Sequence, residues 1–338
     1  MKNSKIAEFI EMSFLKEVPS NLNITDISYN GSVLYADDIT DGRHELEMSI
    51  TSDEVSAFVK QVANLCGKNF SYSEPILDVS FGRFRLNAVF GNTAFFDGQG
   101  VVTFSLRIFA KEIRFSCGDD KRLQTLLYKI TNGNSSIVVF GNSGSGKTEL
   151  QKYLVSLYDR ATRVVIIDNI SELAHTAYPQ NLDITYWISG NIATDILVAN
   201  ALRSNASRII IAEARGAEML DVFRSALTGH PTIVTLHCLS ENLVHKRMVH
   251  MCLERNPHLH FESTLLDVST VFPFLIKTVK ETLSSGQIAR YIASISVMHE
   301  GSMKTIYKRD GWQKKATYND SFAELLAITN AKKRGKGL

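Results

Sequence analysis

The spacing of apolar positions changes near residue 121, dividing the chain into two styles of patterning. In residues 5–18, Ile6, Phe9, Ile10, Phe14 and Leu15 recur at helical intervals among Glu8, Glu11 and Glu17, which predicts an amphipathic helix. Alternating or β-branched stretches follow at 24–29, 32–36 and 45–50. They are separated by Asn30-Gly31 and Asp41-Gly42, dipeptides that suit tight turns. Residues 53–66 read as a second helix, with Ser52 as N-cap and Gly67 as its stop. Two further strands are expected around 78–90 and 100–108, separated by the Gly- and Asn-containing stretch 91–98. Residues 1–108 thus form a small α+β unit, and the polar segment 109–120, with Gly118, is the expected linker.

Beyond it, residues 121–338 alternate regularly. Short, continuously apolar strands at 136–140, 163–167, 208–212 and 232–236 are interleaved with helices at 121–130, 149–158, 194–203 and 217–227. Fully apolar strands alternating with helices predict an α/β domain whose mostly parallel sheet is covered on both faces.

The first of these strands runs into Gly141-Asn142-Ser143-Gly144-Ser145-Gly146-Lys147-Thr148, a complete G-x-x-x-x-G-K-[ST] loop, and a helix follows. A glycine-rich turn at a helix N-terminus directs backbone N–H groups and the positive end of the helix dipole at an anion. Lys147 is placed to reach the β- and γ-phosphates of a nucleoside triphosphate, with the Thr148 hydroxyl on Mg²⁺. Hydrolysis also needs a group that orients water and charge that stabilises the transferring phosphoryl. Ile209-Ile210-Ile211 carry Glu213 to the carboxyl end of a buried strand, the edge where open α/β sheets bind ligands. Another strand ends in Asp168-Asn169, with Glu172 beyond it. Asp168 suits either a water- and Mg²⁺-orienting role or a helix N-cap. His230 and His237 flank the strand 232–236 and are expected near the same sheet edge.

Composition narrows the partners. A net charge of +2 gives no global reason to expect nucleic acid, and the one locally basic stretch, 331–338, reads as a solvated terminus. The four cysteines include no C-x-x-C pair, as for small buried hydrophobes in a reducing compartment. His245, His250, His258 and His260 lack the spacing of a zinc site. No apolar run approaches the ~18 residues that span a bilayer. The acidic residues of the first helix do not fit a signal peptide, so a cytoplasmic location is expected.

Four motifs, in order, make the chain resemble the secretion and pilus traffic ATPases, the motors of type II and type IV secretion and conjugation. The phosphate loop is followed by Ile167-Asp168-Asn169-Ile170-Ser171-Glu172-Leu173, similar to that family's Asp box. Leu202-Arg203 through Ala212-Glu213-Ala214-Arg215-Gly216 resembles its Walker B region, and Thr228-Gly229-His230 with Thr235-Leu236-His237 its His box. Upstream, Arg85-Leu86-Asn87-Ala88 and Ser105-Leu106-Arg107 resemble segments whose arginines reach the nucleotide phosphates in relatives. The resemblance covers roughly residues 24–298 and is closest to the type IV secretion and tight-adherence pilus branch. It implies a RecA-like ATPase domain, ATP with Mg²⁺ as cofactors, and a homohexameric ring that works on an inner-membrane secretion or pilus platform. It also implies a peripheral place on the cytoplasmic face of that membrane. Glu213, Lys147, Asp168, Glu172, His237 and Arg215 are the expected catalytic group. Loop residues 141–148, with Arg107, Arg85 and His230, are the expected nucleotide contacts.

Some positions depart from the family pattern. Asp168-Asn169 stands where Glu-Asp is usual, Asn205-Ala206 replaces Pro-Asp, and Ala212 sits where glycine is common. Two rivals follow: a RecA-like nucleic-acid motor, disfavoured by the charge, and a nucleotide-dependent scaffold with little turnover, motivated by the altered Asp box.

Overall fold

The structure is a computed structural model that describes residues 2–16, 18, 21–169, 171–189 and 192–319. The basic stretch 331–338 lies outside them. Two compact units are present. One takes the chain up to Lys111 together with Ile170–His175 and Thr282–Ile288. The other takes Glu112–Asn169, Thr176–Glu281 and the chain from Ala289 onwards.

The first unit begins with α1 (Lys2–Met12), followed by β1 (Ile24–Tyr29), β2 (Leu34–Asp38), β3 (Gly42–Glu45) and α2 (Ser52–Cys66). It continues through β4 (Ile76–Phe81), β5 (Phe84–Val89), a two-stranded ribbon of β6 (Phe95–Phe96) and β7 (Gln99–Gly100), and β8 (Thr103–Ile108). The main sheet is antiparallel with order β3-β2-β1-β8-β5-β4. Leu77, Val79 and Phe81 alternate with exposed neighbours along β4. They pack in one core with Ile6 and Ile10 of α1 and with Val55, Phe58, Val59 and Val62 of α2. The loop before β15, introduced below, completes this unit: the Ile288 amide donates to the Thr40 carbonyl at 2.7 Å.

Three elements differ from the sequence expectation, each for a local reason. The first helix stops at Met12 because the Ser13 hydroxyl donates to the Ile10 carbonyl and accepts from the Leu15 amide, offering the backbone a competing turn. Residues 45–50 do not continue a strand. Asp38 closes the preceding turn by accepting from the Thr40 and Asp41 amides, and β2 has run out of partners once the Leu46 amide has donated to the carbonyl of its first residue, Leu34. The expected strand 78–90 is a hairpin whose two-residue turn, Gly82-Arg83, sets Phe81 opposite Phe84.

The second unit contains α3 (Lys121–Asn132), β9 (Ile137–Gly141), α4 (Lys147–Ser156), β10 (Arg163–Asp168), β11 (Asp183–Ile188), α5 (Thr194–Ala201) and β12 (Arg208–Ile211). After these come α6 (Met219–Leu227), β13 (Thr232–His237), α7 (Glu241–Arg255), α8 (Phe261–Val271), β14 (Phe274–Thr282), β15 (Ile288–His299), β16 (Ser302–Lys308) and β17 (Thr317–Tyr318). The strands form one sheet, β11-β10-β12-β13-β9-β14-β15-β16-β17. Its first six strands are parallel. Val138, Phe140, Val165, Ile167, Ile209, Ile211, Val234 and Leu236 pack in one cluster with α5–α8. The intervening Ile137, Val139, Val164, Ile166, Ile210 and Ile233 are buried as well, as in a parallel sheet covered on both faces. The fold is therefore a mostly parallel α/β domain joined to a smaller α+β unit, in agreement with the patterning. Strand β11 was absent from the sequence reading: Asp-Ile-Thr-Tyr-Trp-Ile is only half buried, at the sheet's edge, and carries no continuous apolar signal.

Helix α2 starts one residue earlier than predicted, with Thr51 as its cap. The Thr51 hydroxyl accepts from the Glu54 amide, and the Glu54 carboxylate accepts from the Thr51 amide. This capping box satisfies two amides that the helix itself leaves unpaired. Thr51→Ala should destabilise the protein by about 1 kcal/mol, read as a lowered denaturant midpoint, whereas Thr51→Ser should stay near the parent.

Candidate nucleotide site

Parallel strands deliver their last residues to one edge of the sheet, and four of the expected site positions arrive there. Gly141 ends β9, Asp168 ends β10, Glu213 follows β12 by two residues, and His237 ends β13 in register with Gly141. The backbone around Glu213 is fixed from both sides. The Ala212 amide donates to Ile167 of β10, and the Ala214 amide donates to Thr235 of β13.

The loop 141–148 then turns into α4. Gly141 has φ 154°, and a Cβ there would lie 2.3 Å from the Thr278 carbonyl oxygen, so this position accepts only glycine. Gly146, φ 92°, precedes α4, whose first turn carries no side-chain cap. Uncapped first-turn amides at the end of a glycine loop form a cradle suited to an anion. The Lys147 side chain folds back across the loop and is only 8% exposed. Its ammonium donates to the carbonyls of Gly141 (3.2 Å) and Asn142 (2.9 Å) and lies 3.3 Å from His237 Nδ1.

From Lys147 the polar chain continues outward. His237 Nε2 is 3.0 Å from Glu213 Oε1. Glu213 Oε2 accepts from Arg215 Nε at 2.9 Å and Nη2 at 2.6 Å. The first contact fixes the histidine tautomer: Nδ1 accepts from an ammonium that has only donors, so Nε2 carries the proton and faces the Glu213 carboxylate. Burial, and then the Lys147 charge, hold His237 below the ordinary imidazole range. The Glu213 carboxylate pulls the other way, and Arg215 and Arg247 push downward.

Asp168 is fully buried, and its carbonyl accepts from the Ser189 amide. It caps no α-helix among the described residues. Residues 171–176 are turns, and the next helix is α5, so the N-cap reading does not hold. Glu172 lies in Ile170–His175, the segment grouped with the first unit. Arg85 and Arg107 also lie in that unit. They are cross-strand partners on β5 and β8, and each holds a carboxylate, Asp78 at 2.9 Å and Asp26 at 2.8 Å.

His230 is the clear correction. It precedes β13 whereas His237 ends it, so the two imidazoles sit at opposite ends of one strand, roughly 20 Å apart at 3.3 Å per residue. His230 instead lies 3.1 Å from the Thr228 hydroxyl, away from the phosphate loop.

The structure also adds residues. Gln151 is fully buried on α4 and donates to the Ile211 carbonyl at 2.9 Å, tying the loop helix to the strand that presents Glu213. Lys152, buried beside it, pairs with Glu149 at 2.8 Å, and the other Glu149 oxygen accepts from the Arg114 amide. Neither residue is marked in the sequence, because each occupies an ordinary polar position of an amphipathic helix.

Comparison with known proteins gives this geometry a context. The model of the family described as type II/IV secretion system protein matches residues 103–317. The chain belongs to this family. The matched span of this secretion-family chain contains the phosphate loop, Asp168, Glu213 and His237. An uncharacterised protein of Bacillus anthracis is 30% identical over 290 residues, 81% of this chain and 64% of its own length. The type IV secretion system protein VirB11 of Brucella suis biovar 1 is 27% identical over 224 residues, 64% of this chain and 61% of its own. The chain thus spans less than two thirds of these relatives. Among solved structures, the ATPase DotB of Legionella pneumophila superposes with a TM-score of 0.64 at 18% identity, over 86% of this chain and 81% of that one. It shares the fold.

The tautomer assignment has a titration consequence. Protonating His237 is disfavoured in the folded state, so stability falls as pH drops through the ordinary imidazole range near 6.5. In an NMR titration, Lys147→Met should move the His237 midpoint upward and Glu213→Gln should move it downward. Shifts of the same sign in both variants would contradict the network.

Proposed function

We propose that the protein is an ATPase acting as a ring-shaped motor for a secretion, conjugation or pilus-type machine. The observation that carries this reading is the continuous polar chain from the loop lysine through His237 to Glu213. It joins a phosphate cradle to a carboxylate on the same sheet edge. Family membership supports the secretion setting, and the ATPase named among the fold neighbours supports the choice of nucleotide.

The residues fit a magnesium–triphosphate. The loop amides and Lys147 would take the phosphates, and the Thr148 hydroxyl would take the metal. Asp168 would act through metal-bound water. The described residues hold no cluster of three or more His, Cys, Asp or Glu that binds metal by itself. That suits Mg²⁺, which is usually held by substrate phosphates, one or two protein oxygens and water. When bound, the magnesium–ATP complex supplies an electrophilic γ-phosphoryl whose charge is partly neutralised.

Everything else falls to the chain. Lys147 exchanges neutral carbonyl acceptors for phosphate oxygens, which strengthens its hydrogen bonds because the new acceptors are charged. Glu213 accepts two hydrogen bonds from Arg215, both on Oε2, and its Oε1 lies 3.0 Å from His237 Nε2. A carboxylate accepts about four, so Oε1 keeps capacity to orient a water and take its proton. Arg215 aims that carboxylate through its two hydrogen bonds and places positive charge beside it, with His237 Nε2 facing the other oxygen. Glu172, Arg107 and Arg85 are further proposed contacts carried by the family resemblance. The two arginines would have to exchange Asp26 and Asp78 for phosphate. A homohexamer on an inner-membrane platform, at its cytoplasmic face, completes the proposal. Among the described residues, no helix is long and apolar enough to cross a membrane.

Two substitutions separate binding from turnover. Lys147→Ala should abolish retention of a fluorescent ATP analogue. Glu213→Gln should retain the analogue yet lower steady-state phosphate release by about 10²-fold or more. Wild-type turnover in Glu213→Gln would remove that residue from its role. Stoichiometric retention without phosphate release by the unmodified protein would favour a nucleotide-gated scaffold over a motor.

A further inference from the structure

The phosphate loop has a back wall that none of the recognised motifs includes. Strand β14 lies beside β9 in parallel register, and β15 is its next neighbour. From β14, the Thr278 hydroxyl donates to the Phe140 carbonyl at 3.3 Å and so accepts from the Ser145 hydroxyl at 2.7 Å. From β15, Arg290 Nε donates to the Gly144 carbonyl at 2.8 Å. The Arg290 stem also covers Gly146, with its Cβ and Cδ each 3.7 Å from where a Gly146 Cβ would stand.

The two contacts act on neighbouring residues at the tip of the loop, one on the Gly144 carbonyl and one on the Ser145 side chain. A trans peptide is planar, so fixing the direction of its carbonyl fixes the opposed N–H as well. Holding the Gly144 carbonyl on Arg290 turns the following amide, Ser145 N–H, the other way, where it bonds to the Asn142 carbonyl at 3.3 Å. Gly144 and Gly146 both have positive φ, 69° and 92°, and glycine leaves such a segment with many competing conformations. A charge-assisted hydrogen bond on one side and a buried hydroxyl pair on the other remove most of them.

We propose that Arg290 is a positioning residue of the phosphate loop. It holds the glycine-rich tip, before any ligand arrives, in the shape that receives the α- and β-phosphates. This assignment rests on the nucleotide-binding reading above. It differs from direct phosphate contact in what it predicts. A preformed cradle benefits every ligand that fills it, so loss of Arg290 should weaken ATP and ADP by the same factor. A guanidinium on the γ-phosphate would favour ATP alone.

The test uses the full chain and three variants, Arg290→Ala, Arg290→Gln and Arg290→Lys. Without nucleotide, amide hydrogen exchange at residues 144–146 should quicken in Arg290→Ala, and a donor at the same place should partly restore protection in Arg290→Lys. Calorimetry with ADP and with a non-hydrolysable ATP analogue should show Kd raised about fivefold to tenfold for both ligands. KM should rise with little change in kcat. Arg290→Gln gives the same comparison if the alanine variant fails to fold. Unchanged exchange and affinity in a folded variant would overturn the assignment, as would a loss confined to the ATP analogue. If the unmodified protein binds neither nucleotide, the nucleotide reading itself has failed.

Discussion

A lysine ammonium held out of water, folded back onto the loop it serves, organises the second unit. A buried cation needs partners, and those a phosphate can replace are the useful ones here. Among the partners of Lys147 are two loop carbonyls and an imidazole, all neutral and exchangeable. Each acceptor depends on the parallel sheet. Gly141 and Asn142 follow the end of β9, and His237 is the terminal residue of the strand beside it. The nearest carboxylate of that chain, Glu213, stands one residue further off, behind His237. The order of these groups along the edge follows from strand register more than from any one side chain.

Much of this was legible in the chain. The phosphate loop could be read because its requirements are stringent: glycine where a Cβ would strike Thr278, and a lysine long enough to fold back. The central strands could be read because burial on both faces leaves an uninterrupted apolar run. Glu213 was legible as the residue just past such a run. What escaped depended on partners distant in sequence. Strand β11 is half exposed and carries no period. Residues 45–50 look like a strand until β2 proves too short to pair with them. Gln151, Lys152 and Arg290 are ordinary polar residues whose importance lies in contacts with Ile211, Glu149 and Gly144. His230 was misplaced for a simpler reason. Two histidines flanking one strand look equivalent in a string of letters, but a strand has a direction.

Charged side chains in the two units solve different problems. On the antiparallel sheet, Arg85 and Arg107 are partly exposed, and Asp78 and Asp26 give each a local partner of modest strength. In α4 the Lys152–Glu149 pair has a buried lysine and a half-buried carboxylate, with the remaining Glu149 oxygen accepting from the Arg114 amide. Interior pairs of this kind are poor sources of stability but exacting in geometry, because either partner left alone is costly. Both residues ride on α4, so it is the bond from the Arg114 amide to Glu149 that ties the first turn of the helix to another segment.

The first unit is assembled from three separate stretches, and this bears on the order of events at the ribosome. Its last contribution, Thr282–Ile288, is synthesised after nearly all of the parallel sheet, yet Ile288 donates to a carbonyl laid down at residue 40. The amino-terminal sheet can form early, but it reaches its finished hydrogen bonding only once the chain has passed β14. A nascent chain released before that point would carry an exposed Thr40 carbonyl and an uncovered Gly42 turn. Completion of the oldest part of the molecule thus waits on one of its youngest.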